Sequence, residues 1–159
     1  MADVPLGAVV RLPGEADEVQ VGAFDIIYHA VGADTEGAFT LLETREQAGG
    51  AGPPLHVHRD AAESFLVLAG VYVMHLDGRD FRCPAGSFIY VPKGMPHTFS
   101  VAADGSRKLN LFAPAAMEGY FRELAAAMKG DVDDSSLAHI ADRYSMDVLG
   151  PAPEGYLKG

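Results

Sequence analysis

The chain has 159 residues, a single-domain length at which roughly 70% of the unfolded chain's surface is buried, so it needs no disulfide to fold and its lone Cys83 could form none internally. Its formal charge is −10, from 12 basic and 22 acidic residues with no basic run, a balance that repels DNA or RNA and an anionic membrane surface alike. No apolar run approaches the ~20 residues of a membrane helix and no leader pattern opens the chain, so the expectation is a soluble cytoplasmic protein.

Met1 to Pro13 carries two prolines and is expected as an arm or edge strand. Val19 to Val31 is rich in β-branched and aromatic residues and reads as strand. Gly32 to Gly37 is a turn, Ala38 to Gln47 another strand, and Ala48 to Pro54 a loop, since glycine and proline break both helix and strand. A buried strand follows over Ser64 to Ala69, continued by Val71 to Asp77, with Asp77-Gly78 as a hairpin signal. Arg79 to Cys83, Ser87 to Val91, His97 to Ala102 and Lys108 to Ala113 complete the strands. Many short strands between regular turns imply an all-β barrel or sandwich over about residues 19–113. After Pro114 the composition turns helical. Ala115 to Lys129 carries strong helix formers, and Asp133, Asp134 and Ser135 offer caps for a second helix with Leu137, Ile140, Ala141 and Tyr144 on one face. From Leu149 on, prolines and glycines dominate. One domain, 1–159, with a helical tail at about 115–147, is expected.

The stretch Gly50 to Gly70 holds His56 and His58, two residues apart, and Glu63 five further on. Alternation along a strand puts both imidazoles on one face, the start of a metal chelate. Downstream, a strand and a Gly/Pro-rich turn lead to His97, a third candidate ligand. Phe99 and Val101 share its face, as Phe65 and Val67 share that of Glu63; with Tyr72 and Met74 they are expected to line the barrel interior and to form the substrate pocket. His75 is expected to face away from that interior, His29 and His139 are not expected as ligands, and Cys83 is expected as a small buried residue.

These residues resemble the two motifs of the cupin family. Gly50, His56, His58, Glu63 and Gly70 keep every spacing of the first; Gly86, Pro92, Gly94 and His97 keep the second, except that its final Asn is Val101 here. In detail the chain resembles quercetin-dioxygenase-like single-domain cupins, through PPLHVHRDAAESF, PKGMPHTF and the helical tail. The resemblance implies a jelly-roll barrel, or double-stranded β-helix, with a short C-terminal helical segment. It also implies one divalent transition metal (Fe, Mn, Ni, Co, Cu or Zn) held by His56, His58, His97 and Glu63, with Glu63 as ligand, catalytic base or both. Three imidazoles and one carboxylate leave a divalent ion with net positive charge, which favours a phenolate, enolate or carboxylate oxygen. Two enzymatic schemes follow. One is a dioxygenase using O2 on a small aromatic or polyketide-like enol, the scheme the resemblance implies; the other is a non-redox isomerase, cyclase or decarboxylase. A binding module without turnover is the third reading. The resemblance further implies a homodimer, for which outward Leu66 and Leu68 and the strand Val19 to Ile27 would suit the interface.

Overall fold

The structure, a computed structural model, describes residues 5–49 and 52–150. The motif residue Gly50, Met1 to Val4 and the end of the Leu149–Gly159 tail lie outside them. In chain order the elements are β1 (Asp17–Val21), β2 (Phe24–Ala30), β3 (Thr40–Glu46), β4 (His56–His58), β5 (Ala62–Ala69), β6 (Val71–Leu76), β7 (Arg79–Pro84), β8 (Phe88–Val91), β9 (His97–Val101), β10 (Ser106–Ala113), α1 (Glu118–Ala127), α2 (Asp134–Arg143) and β11 (Met146–Val148).

The strands form two antiparallel sheets, β1-β2-β3-β10-β5-β8 and β11-β4-β9-β6-β7. Side-chain alternation decides what enters the barrel. Glu63, Phe65 and Val67 of β5 are buried while Leu66 and Leu68 face outward, each 39% exposed. On β3 and β10 the buried sets are Thr40, Leu42, Thr44, Glu46 and Ser106, Lys108, Asn110, Phe112. Two apolar clusters result. One packs β2, β3 and β10 residues against α1 and α2 through Ile26, Leu42, Phe112, Leu124 and Ile140. The other gathers Phe65, Val67, Tyr72, Met74, Cys83 and Ile89.

Three expectations are corrected here. The Val19–Val31 run is not continuous: it is a hairpin, β1 to β2, turning at Gly22-Ala23 with Val21 opposite Phe24. Its β-rich composition hides that two-residue turn. Nor is Val19 to Ile27 a free interface face, since Val21, Ile26 and Ile27 are buried in the monomer, where the hairpin folds onto β3 and α1. Finally, the tail is more than two helices. Asp133 caps α2 as expected, accepting from the Ser136 N–H at 2.7 Å, but the chain then adds β11 to the second sheet, pairing with β4.

Candidate metal centre

The site is built between the sheets. His56 and His58 alternate onto the inner face of β4, and His97 opens β9 directly opposite His56 in the ladder. Glu63 comes from β5 in the facing sheet. The turn before His97 is tied to the first histidine strand, because the Gly94 N–H donates to the His58 carbonyl at 2.8 Å. All four side chains are buried. The imidazole centroids lie 4.9 Å (His56–His58), 4.3 Å (His56–His97) and 5.3 Å (His58–His97) apart. One ligand atom from each of His56, His58, Glu63 and His97 falls within 4.8 Å of the others.

The second ring nitrogens show why the set can hold a cation. Nδ1 of His56 donates to the Pro54 carbonyl at 2.7 Å, and Nδ1 of His97 to the Met95 carbonyl at 2.9 Å. Backbone acceptors of this kind fix ring orientation and leave Nε2 to face the centre. Oε2 of Glu63 accepts from His58 Nε2 at 3.1 Å and from His97 Nε2 at 3.0 Å. Both partners of His97 are oxygens, a carbonyl and a carboxylate, which favours the protonated ring with hydrogen on both nitrogens. Its ionisation agrees: burial works against the charge, but the hydrogen bond to Glu63 overrides it and raises the His97 pKa. Burial pushes the Glu63 carboxyl up, yet the two imidazole hydrogen bonds outweigh it and hold the group below the usual carboxylate range. For His56, burial together with the neighbouring imidazoles drives the pKa down to about 3, so that ring is neutral at pH 7.

The centre opens onto a cavity with about 230 Å³ of room for water-sized molecules, space for a small organic molecule. Phe65, Phe99 and Val101 line it, beside Ile26 and Phe112. Val67, Tyr72 and Met74 do not line it. They are packed in the second apolar cluster, where the neighbouring strands fill that part of the barrel. His75 faces outward and meets Asp80 at 2.5 Å. His29 pairs with the buried Glu43 of β3, His139 is exposed on α2, and Cys83 is buried. Three parts of the cavity wall escape sequence reading. Asn110 Nδ2 donates to Glu63 Oε1 at 3.0 Å. Lys108, wholly buried, reaches Glu46 and Thr44. Met117, Tyr120 and Met146 bring the C-terminal tail up to the site. A signal existed for the first two: they share the inward phase of Phe112 on β10.

Two facing antiparallel sheets around a buried cluster of three histidines and one glutamate define a jelly-roll barrel of the cupin type. The cupin domain family matches residues 42–112, from β3 to β10. The chain is 26% identical over 136 residues to quercetin 2,3-dioxygenase of Bacillus subtilis (strain 168), a match covering 83% of this chain but 40% of that protein, so the chain spans well under half the length of this relative. Among solved structures it is similar to KdgF from Halomonas sp. (TM-score 0.58, 19% identity, 65% of this chain and 90% of that one). It is also similar to a protein of Thermotoga maritima described as a predicted oxalate decarboxylase (TM-score 0.60, 17% identity, 67% and 99%). The comparisons thus support a cupin domain over residues 42–112, on the fold that these solved structures share.

Proposed function

We propose that this cupin is a metal-dependent dioxygenase acting on a small aromatic or enol substrate, with His56, His58, His97 and Glu63 as the metal ligands. The observation that carries the reading is the convergence of four ligand atoms within 4.8 Å at the wall of an apolar cavity. The likeness to quercetin 2,3-dioxygenase supports the reaction class. A divalent transition metal supplies Lewis acidity there and a means of bringing O2 to an electron-rich carbon. Glu63 lies hydrogen-bonded to two imidazoles and is ionised, so it is poised to take the proton of an enol or phenol hydroxyl arriving beside it. Phe65, Phe99 and Val101 keep water from the reacting carbon.

The test has two parts. Protein purified without an affinity tag is analysed for metal, and oxygen uptake is followed on a panel of flavonols and smaller enols. Stoichiometric metal with enol-dependent oxygen uptake is expected, and His97→Ala should lose the metal while staying folded. Enol turnover without oxygen uptake would replace the dioxygenase reading by the non-redox one. Full metal retention in His97→Ala would remove His97 from the ligand set.

A further inference from the structure

At one inner residue's remove from the histidines the cavity has a second polar pole. Lys108 is 0% exposed and yet lines the cavity. Its Nζ donates to Thr44 Oγ1 at 2.6 Å and to Glu46 Oε1 at 2.7 Å. The other Glu46 oxygen accepts from the Tyr72 hydroxyl. The ammonium stands 4.0 Å from the Phe99 ring centroid and 4.7 Å from that of Tyr72. A buried ion pair of this kind contributes little net stability against apolar side chains of the same volume, so packing alone does not account for a lysine here.

An ammonium has three donors. Two are taken, and the third meets no acceptor among the described residues. Glu46 already neutralises the charge, with both its oxygens engaged. A ligand carboxylate would therefore meet the like charge of Glu46, whereas a neutral carbonyl oxygen would meet only the open N–H. Lys108 is two residues from Asn110 on β10, and Phe99 beneath it is two from His97 on β9. Strand rise sets the backbone positions that carry the two poles about 6–7 Å apart, on the scale of one ring substituted at both ends.

We infer that Lys108 is a specificity-determining residue, binding a neutral carbonyl oxygen of a substrate whose enol or phenol oxygen lies at the histidine cluster. The inference rests on the metal-centre reading above. The test uses Zn(II)-loaded protein and calorimetric titration with 4-hydroxyacetophenone, 4-ethylphenol and 4-hydroxybenzoate, which share a phenol oxygen and differ only at the far end. The ketone should bind about tenfold more tightly than the ethyl compound, the effect of one hydrogen bond, and more tightly than the benzoate. Lys108→Met, and the double variant Lys108→Met/Glu46→Gln that keeps the pole neutral, should lose the ketone's advantage while binding 4-ethylphenol as before. Equal binding of ketone and ethyl compound, tightest binding of the benzoate, a preference surviving in either folded variant, or no binding of any probe to fully Zn-loaded protein would each overturn the assignment. Should neither variant fold, the wild-type comparison decides alone. Failure of the wild type to take up Zn(II) would instead overturn the metal-centre reading on which it stands.

Discussion

Asn110 holds Glu63 from the neighbouring strand: its amide nitrogen donates to Oε1 at 3.0 Å, while its own buried amide oxygen has no partner among the described residues. With Oε2 shared between two imidazoles, Asn110 is the residue that fixes the carboxylate's other oxygen among the described residues. Groups that orient a ligand in this way typically govern 10–100-fold of metal affinity. Asn110→Ala should therefore weaken metal binding by about that factor without abolishing it, as measured by competition with a chelator. Affinity equal to the wild type would show that Glu63 needs no help from β10.

A second prediction concerns protons. In its protonated form His97 donates from both nitrogens, and its Nε2 then has to lose a proton before it can act as a ligand. Metal uptake near neutral pH should release a proton, and affinity should climb as pH rises through the raised His97 pKa. Titrations in buffers of different ionisation enthalpy measure that release. The metal-free protein's stability should follow the same groups. His97 is raised, so its contribution is complete below the unfolded value of about 6.5 and is lost as pH rises through the folded value. His56 is depressed to about 3, so between about 3 and about 6.5 only the unfolded chain takes its proton, and stability falls as pH falls through that window. Urea unfolding from pH 4 to 9 should show both flanks; loss on neither side would refute the assigned ionisation states.

Much of the centre was legible in the sequence because two simple periods encode it. His56 and His58 share a face by alternation, and the turn at Gly94 delivers His97 to the same sheet. The second pole was not legible. Thr44, Glu46, Lys108 and Asn110 lie in phase with Leu42 and Phe112, but a polar residue in a strand is ordinarily assigned to the solvent side. Only the pairing of β3 with β10, which sets Lys108 opposite Thr44, shows that Lys108 is met inside by Thr44 and Glu46, while Asn110 turns to Glu63. The same reasoning erred in the other direction for Tyr72 and Met74. Alternation correctly turned them inward, but it cannot tell a filled stretch of barrel from an open one.

The motif glycines serve different physical needs, and substitution should separate them. Gly70 has φ +72°, and a Cβ there would lie 2.1 Å from Ser106 Oγ and 2.6 Å from Ser106 Cα. Gly94 has φ +79° with nothing within 4 Å. Gly94→Ala should cost only the left-handed backbone penalty, about 1–2 kcal/mol. Gly70→Ala adds a collision with backbone and should cost about 3 kcal/mol or more, in the range reserved for a named structural clash. Chemical denaturation of both variants checks the order, and equal losses would contradict the crowding at Ser106.

The tail belongs to the site as well as to the fold. Met146 of β11 sits opposite His58 in the ladder, is 2% exposed, and forms part of the cavity wall. It also packs in the apolar cluster that joins α1 and α2 to the barrel. Met146→Ala should thus lower stability by about 2–5 kcal/mol through the space it leaves and enlarge the cavity beside His58. Metal stoichiometry should be unchanged, because the four donors and their backbone partners at Pro54 and Met95 are untouched. Denaturation midpoints and elemental analysis on the same preparation read the two effects separately. Loss of metal at intact stability would mean that β11 positions the histidine strand directly, and an undiminished midpoint would mean that the tail is not packed against the barrel through this residue.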